Sequence, residues 1–155
     1  MTLTLTGETW LPVSDKDPRA VAIYLRHYSA RHYKDGRGAS QYRAGFIGPC
    51  EKMVLITPTN DALFAWARAK PGMSKDGQEG VRCSIFRNEG TRLASELIRE
   101  AMALAWVRWP GQRLYTYVWD AKVRSVNPGY CFKVAGWRLC GRNKDGRLTI
   151  LEALP

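Results

Sequence analysis

Hydrophobic positions recur at helical spacing in two parts of the chain. Val21 and Leu25 belong to the first pattern, which predicts a helix over about 18–33. The second pattern predicts the longest helix, which reaches about Trp106 and ends before Pro110-Gly111. Its apolar stripe consists of Leu93, Leu97, Ala101, Leu104 and Ala105, widened by Ile98. Each helix therefore has one apolar face that must pack against other elements.

Short apolar or alternating runs predict strands around these helices. They cover residues 2–5, 44–47, 53–57, 62–69, 81–86, 113–119, 137–140 and 148–151. Polar turns at 58–61 and 143–146 join two neighbouring pairs as hairpins. The run 113–119 is apolar on both sides, which is typical of a central strand covered on both faces. With a short helix over 127–135, the order predicts an α/β (α+β) fold, a mixed central sheet flanked by helices in a single domain over 1–155.

The composition is that of a folded globular domain. Of the 155 residues, 45% are hydrophobic and 25% are charged. No run approaches about 18 consecutive apolar residues, and the first residues lack a basic segment before an apolar block, so we expect a cytoplasmic protein without a membrane span. The four cysteines form no C-x-x-C pair, so we expect buried reduced thiols and no zinc or other metal site. They are Cys50, Cys83, Cys131 and Cys140.

The charge balance is strongly basic. Lysine and arginine total 24 against 14 acidic residues, which gives a net charge of +10. Such a domain favours a polyanionic partner, namely DNA, RNA or a phosphorylated cofactor, although a high charge also serves solubility alone. Basic and aromatic residues alternate at the end of the first helix and in the glycine-containing loop after it, where they predict a rim that grips phosphate groups. This rim consists of Arg26, Arg31, Lys34, Arg37, Tyr42 and Arg43.

A strand, a glycine turn and a helix follow one another over 81–98. Such a turn exposes backbone N–H groups at the positive end of a helix dipole, which together bind phosphate, although a glycine there also serves conformation alone. The element order and the segment Arg87-Asn-Glu-Gly-Thr-Arg92 resemble the GNAT superfamily, as do Asn127 and Gly136-Trp137. GNAT proteins bind the pyrophosphate of acetyl-CoA at an Arg/Gln-x-x-Gly-x-Gly/Ala turn. The resemblance implies that acetyl-CoA or a related acyl donor is bound by Arg87, Asn88, Gly90 and Arg92.

Two positions depart from the GNAT pattern. Arg92 stands where a small residue is expected in the turn. Phe132 stands four residues before Gly136, where many members have a catalytic tyrosine. Coenzyme A binding is therefore an expectation that comes from the fold rather than from a complete motif.

A closer resemblance, over about 22–150, is to the phage Mom proteins, a divergent GNAT-like group. It depends on His27-Tyr-Ser29, Phe86-Arg-Asn-Glu89, Ser95-Glu-Leu-Ile98, Asp120 and Asn127-Pro-Gly-Tyr130. Mom proteins convert adenine in phage DNA to its N6-carbamoylmethyl form, which protects the DNA from host restriction. The resemblance implies a transferase that acts on double-stranded DNA in the cytoplasm of an infected bacterium. The catalytic residues it implies are His27, Tyr28, Ser95, Asp120 and Tyr130.

Elementary chemistry offers a role, and an ordinary alternative, for most of these residues. His27 suits a general base because the ordinary pKa of histidine lies near neutrality, or it is a plain surface histidine. Asp120 follows a central strand, where it accepts a proton, holds His27 or Tyr130 in position, or caps a turn. Tyr130 follows a Pro-Gly turn that aims its ring into the cleft, or it is a core tyrosine. Ser95 hydrogen-bonds a substrate carbonyl or points at solvent.

Stacking obstructs access to the N6 amine of adenine within a duplex. We therefore expect the base to be extruded into a cleft bounded by the loop after the first helix and by Tyr130. Four tryptophans are expected in the core rather than against a base: Trp106, Trp109, Trp119 and Trp137. Two other functions stay open, an acetyl-CoA-dependent N-acetyltransferase acting on a small-molecule or protein amine, and a non-catalytic DNA-binding module.

Overall fold

The computed structural model describes residues 9–27, 45–48, 50–70, 72, 77–119 and 129–155. The helices defined there are α1 (Pro18–Leu25), α2 (Ala94–Arg108) and α3 (Tyr130–Val134). The strands are β1 (Leu11–Val13), β2 (Glu51–Ile56), β3 (Ala62–Arg68), β4 (Val81–Asn88), β5 (Leu114–Trp119), β6 (Arg138–Arg142) and β7 (Leu148–Ala153). The start of α1 is encoded locally, because the Asp17 carboxylate accepts a hydrogen bond from the Arg19 amide and Pro18 occupies the first turn.

The seven strands form one sheet in the order β1-β2-β3-β4-β5-β7-β6. Neighbouring strands are antiparallel except for β4 and β5, which are parallel. The β4–β5 ladder is short, running from Val81 opposite Leu114 to Cys83 opposite Thr116. Beyond this last pair, β4 continues to Asn88 and β5 to Trp119, and the described residues of these two segments do not pair with each other. The two central strands therefore separate toward their carboxyl ends.

Hydrophobic clusters cover both faces of the sheet. On one face α2 packs a buried stripe made of Leu97, Ile98, Ala101, Met102 and Ala105. Two indoles fix this helix to the strands: Trp10 Nε1 donates to the Leu97 carbonyl and Trp66 Nε1 to the Ala101 carbonyl, both at 3.0 Å. On the other face α1 packs Ile23 against residues of β2, β3 and β4. The strands of this half of the sheet are therefore enclosed from both sides.

The predicted mixed sheet flanked by helices is confirmed, but three local predictions are wrong. Residues 45–47 form no strand, because Gly45 adopts a φ of +100° and the Ile47 amide donates to the Asp15 carboxylate at 3.3 Å instead of to a ladder partner. The first helix ends at Leu25 rather than near residue 33. Leu93 precedes α2 as its N-cap and is 61% exposed, so it is not part of the buried stripe. The predicted strand over 2–5 lies outside the described residues, and β1 was not predicted.

The cysteines are free thiols, and their burial differs from the expectation at one position. Cys83 is buried, whereas Cys140 is exposed because it lies on the edge strand β6. Among the described residues, no group of three or more His, Cys, Asp or Glu side chains is placed to hold a metal ion. No helix in the described part of the chain combines the length and apolarity needed to cross a membrane.

Candidate functional site

Two cavities adjoin at the gap between β4 and β5. At the last pair of the ladder, Thr116 Oγ1 donates to the Cys83 carbonyl at 3.0 Å, and the strands separate beyond it. We call the cavity toward α1 the α1-side cavity and the one toward α3 the α3-side cavity. Both are lined by His27, Cys83, Ser84 and Tyr117. These four residues therefore lie where the two cavities meet.

The α3-side cavity has a volume of about 140 Å³. Gly129 lines it with a φ of +77°, and a Cβ at this position would lie 2.6 Å from Leu151 Cδ1, so only glycine fits. Phe132 packs edge-on against Phe86 of β4, with 5.9 Å between ring centroids. The helix α3 thus lies beside the carboxyl half of β4.

The α1-side cavity is larger, about 300 Å³, and much of its lining is aromatic. Tyr24 of α1 stacks on Phe46 with ring centroids 4.7 Å apart and planes at 14°. Tyr117 and Trp119 also line it, and because side chains alternate along a strand, both lie on the face of β5 opposite Val118. Val118 itself belongs to the core under α2.

His27 lies directly after α1, where its backbone amide donates to the Tyr24 carbonyl at 2.9 Å. Its side chain is buried, and this burial lowers the pKa of the imidazole to about 4. The positive charge of Arg87 lowers that pKa further, and a hydrogen bond with the Phe86 backbone opposes the change. At neutral pH the ring is therefore uncharged. A neutral imidazole that donates one N–H to a backbone carbonyl keeps its other nitrogen as a proton acceptor.

Glu89 ties the end of α1 to the end of β4. Its carboxylate accepts two hydrogen bonds from Arg26, both at 2.7 Å, and one from Arg87 Nε at 2.6 Å. The bond from Arg26 is the main reason that the pKa of Glu89 is lowered to about 2. Arg26 was predicted to grip phosphate and Arg87 to hold a cofactor, yet both are engaged by this carboxylate beside His27.

The turn between β4 and α2 uses several of its polar groups internally. The Glu89 amide donates to the Asp61 carbonyl at 2.7 Å, and the Gly90 amide donates to Asn88 Oδ1 at 3.0 Å. A Cβ on Gly90 would collide with the Asp61 carboxylate, which explains why glycine stands there. Arg92 donates to Thr9 Oγ1 at 2.9 Å and lies 3.3 Å from Glu100. The amides of Glu89 and Gly90 are thus already satisfied.

Two of the other predicted catalytic residues, Ser95 and Tyr130, do not lie at the gap. Ser95 is buried rather than facing solvent, its Oγ has no hydrogen-bond partner among the described residues, and it lines neither cavity. Tyr130 is the first residue of α3, is 60% exposed rather than in the core, and lines neither cavity. The remaining catalytic and rim predictions fall outside the described residues: Tyr28, Arg31, Lys34, Arg37, Tyr42, Arg43 and Asp120.

Several residues of the site were missed by sequence reasoning. Ser84 adjoins both cavities, and Phe46 and Tyr117 line the larger one. Trp119 was expected in the core but is only half-buried and lines the α1-side cavity. The available signal was the alternation in β5, which put Tyr117 and Trp119 on one side of a central strand.

No protein-family model matches the sequence, and no curated protein matches it. Solved structures do resemble it. A protein from Bordetella pertussis described as a GnaT-family acetyltransferase has a TM-score of 0.57 and 12% identity, with 94% of this chain and 95% of the other covered. An acyl-CoA N-acyltransferase from Pseudomonas aeruginosa has a TM-score of 0.50 and 9% identity, with coverage of 92% and 97%. This chain has the GNAT fold. The separated central strands are the part of that fold in which the cavities lie.

The residues at the gap fit an acyl-CoA only in part. The β4 edge beyond Cys83 is not paired with β5, so it can bind an extended, amide-containing arm. The 15-residue helix α2 has no side-chain cap at its N-terminus, and Arg92 lies beside it, which suits a pyrophosphate. Arg92 is nevertheless engaged by Thr9 and Glu100, and the amides of Glu96 and Leu97 donate to the Leu93 carbonyl. The polar groups at this turn are therefore largely used within the protein. When bound, an acyl-CoA would supply an activated acyl group for transfer.

Proposed function

We propose that this protein is a GNAT-fold transferase that modifies the N6 amine of adenine in DNA, with His27 as its general base. The observation that carries the proposal is the position of His27, an uncharged buried imidazole where two cavities adjoin between the separated strands β4 and β5. One cavity would take the donor and the other the acceptor, so that both reach the same proton acceptor.

The chemistry of the acceptor explains why a neutral imidazole is useful. The lone pair of adenine N6 is delocalised into the ring, so the amine is a weak nucleophile. As N6 forms its bond to the methylene carbon of a carbamoylmethyl donor, the bond from that carbon to the leaving group breaks, and the nitrogen of His27 that does not bind Phe86 would accept the N6 proton. This step is an alkyl transfer, whereas an acyl thioester would give an N6-acyl product. The leaving group of the donor takes the electron pair of the broken bond, and His27 then returns its proton to solvent.

The overall charge supports a nucleic-acid acceptor. The chain carries a net charge of +10, which favours association with the phosphates of double-stranded DNA. The resemblance to Mom proteins favours adenine as the base and the N6-carbamoylmethyl group as the product. On this proposal the biological role is protection of phage DNA from restriction.

Mass spectrometry of nucleosides tests the proposal. The protein is expressed in bacterial cells, and total DNA is digested to nucleosides. We expect a modified deoxyadenosine with the mass of the carbamoylmethyl form, reduced by at least about 100-fold when His27→Ala is expressed to the same level. An unmodified deoxyadenosine pool in cells that contain folded protein would overturn the proposal.

A second function is favoured by the names of the two similar structures, which describe an acetyltransferase and an acyl-CoA N-acyltransferase. On this alternative the protein acetylates a small-molecule or protein amine. Turnover of acetyl-CoA with a panel of amines, in the absence of DNA, would support it. DNA binding without any product would instead support a non-catalytic DNA-binding module.

A further inference from the structure

The α1-side cavity has aromatic rings contributed by separate elements. Tyr24 and Phe46 form one stacked pair, and Tyr117 and Trp119 project from β5. Its volume of about 300 Å³ lies at the lower end of the range of small-molecule pockets, ~300–1,000 Å³. The α3-side cavity, by contrast, is less than half as large at about 140 Å³.

We propose that the α1-side cavity holds one purine base extruded from duplex DNA, with Trp119 and Tyr117 as the rings on which the base stacks. This inference depends on the proposed function, since it names the place where the adenine acceptor is bound. Stacking on an aromatic side chain stabilises a bound group that has a flat π-face, as a base does. Enzymes that act on a base commonly bind the extruded base in a pocket lined by aromatic side chains. An aliphatic or flexible amine would gain much less from this lining.

The base in this cavity would lie beside the proton acceptor. His27 lines the α1-side cavity together with Tyr24, which precedes it by one turn of chain. The shared lining at Ser84 connects this cavity to the α3-side cavity, from which the donor would approach. The exocyclic amine of the stacked base would therefore face the gap, and the rest of the ring would be covered by aromatic side chains.

Arg82 supplies a cation for the extruded nucleotide. It lines the cavity on β4 and, among the described residues, takes part in none of the ion pairs that engage Arg87 and Arg92. An extruded base brings its own phosphodiester to the mouth of the pocket, and a guanidinium is well suited to bind it. We assign Arg82 to that phosphate.

The test compares binding to duplexes in which one adenine is either paired or placed opposite an abasic site. Extrusion costs less for an unpaired base, so wild-type protein should bind the second duplex more tightly. Trp119→Leu should weaken binding to the duplex with the unpaired adenine by between about fivefold and about 150-fold, the range expected for the loss of one stacked ring. Trp119→Phe should retain most of that affinity because a ring is still present.

Trp106→Leu is the matched control. Trp106 is also a half-buried tryptophan, but it lies on α2, lines neither cavity and donates to the Gln112 carbonyl at 2.8 Å. Its loss should leave the affinity for the duplex with the unpaired adenine unchanged. Thermal unfolding of each variant establishes that it is folded at the temperature of the binding assay.

The outcomes separate this inference from the proposed function. No preference in the wild type, or an affinity for the unpaired-adenine duplex that Trp119→Leu and Tyr117→Leu both retain, would overturn the base pocket even if modified adenine is found in cells. An affinity for this duplex that depends on Trp119, in a protein that leaves adenine unmodified, would uphold the pocket and overturn the proposed chemistry.

Discussion

Two glutamates of this protein are each held by two arginines, but they lie in different surroundings. Glu152 of β7 accepts from Arg113 Nε at 2.7 Å and from Arg138 Nε at 2.9 Å. These arginines belong to neighbouring segments that the β5–β7 and β6–β7 ladders already bring together. The Glu152 cluster therefore reinforces an arrangement that the backbone has fixed.

The Glu89 cluster joins parts of the chain that no ladder connects. Arg26 follows α1 and Arg87 belongs to β4, and 63 residues separate Arg26 from Glu89. His27 is the next residue after Arg26, and the charge of Arg87 contributes to its lowered pKa. The Glu152 cluster thus supports the sheet. The Glu89 cluster, made of the same residue types, sets the position and charge environment of the candidate base His27.

The largest effect is expected at His27 itself, the residue that distinguishes the two clusters. A general base contributes roughly 10²–10⁴-fold, so His27→Ala should reduce the modified adenine formed per cell by at least about 100-fold. Time courses of nucleoside mass spectrometry after induction measure it. Glu152→Gln serves as the control and should stay close to wild type. A His27→Ala rate within about threefold of wild type would contradict the assignment.

The next effect is a loss of stability on acidification. The folded-state pKa of His27 is about 4, below its ordinary value of about 6.5. Between these values the unfolded chain binds a proton that the folded protein does not bind. The contribution of the neutral His27 imidazole to the free energy of unfolding is therefore complete above pH ~6.5. It falls by about 3 kcal/mol as the pH falls to ~4.

Urea unfolding at several pH values between about 4.5 and 7 checks this expectation. His27→Gln should remove the part of the slope that histidine causes. The pKa values of Glu89 and Glu152 are also lowered, by their arginines, but these carboxylates lose their contribution only as the pH falls below their ordinary pKa of about 4.5. Equal slopes for wild type and His27→Gln would show that the imidazole is not buried in its neutral form.

A smaller effect is expected when the glutamate of either cluster is neutralised, and it compares the two clusters directly. Glu89→Gln and Glu152→Gln should each lower the free energy of unfolding by about 1 kcal/mol, because the ion pairs are partly exposed. Only Glu89→Gln should also reduce adenine modification severalfold, since Arg87 loses its counter-charge and lowers the pKa of His27 further. Equal modification by the two variants would mean that the Glu89 cluster is structural alone.

The smallest expected effect is at Ser84, which adjoins both cavities but belongs to neither cluster. Ser84→Ala should lower adenine modification by about two- to tenfold while changing the free energy of unfolding by less than about 0.5 kcal/mol. Ser14→Ala, at a serine outside both cavities, is the comparison variant. A fall in stability large enough to explain the lost activity would remove Ser84 from the site.

Much of the fold was predictable from the sequence because most elements have a clear apolar period. The runs over 81–86 and 113–119 fall on β4 and β5, and the long helix is α2. The failures come from contacts between distant residues. Asp15 takes the Ile47 amide and so prevents a strand at 45–47, and neither partner is near the other in the chain.

The site was less predictable than the fold. His27 was proposed from a family resemblance, whereas its neutral state depends on burial by elements that meet only in the folded protein. Arg26 resembles a phosphate ligand in the sequence, but Glu89 engages it across 63 residues. The aromatic lining as a whole could not be predicted, because Phe46, Tyr117 and Tyr24 come from three separate segments that meet only in the folded protein.

The brevity of the β4–β5 ladder has a mechanical consequence. Strands β1 to β4 form one antiparallel block and β5 to β7 another. Within the described sheet, the two blocks are joined by the β4–β5 pairs from Val81–Leu114 to Cys83–Thr116. Few backbone hydrogen bonds therefore oppose a small separation of the blocks. The amides of this ladder should exchange with solvent faster than amides inside either block, and such a separation would let bulky reactants enter and leave.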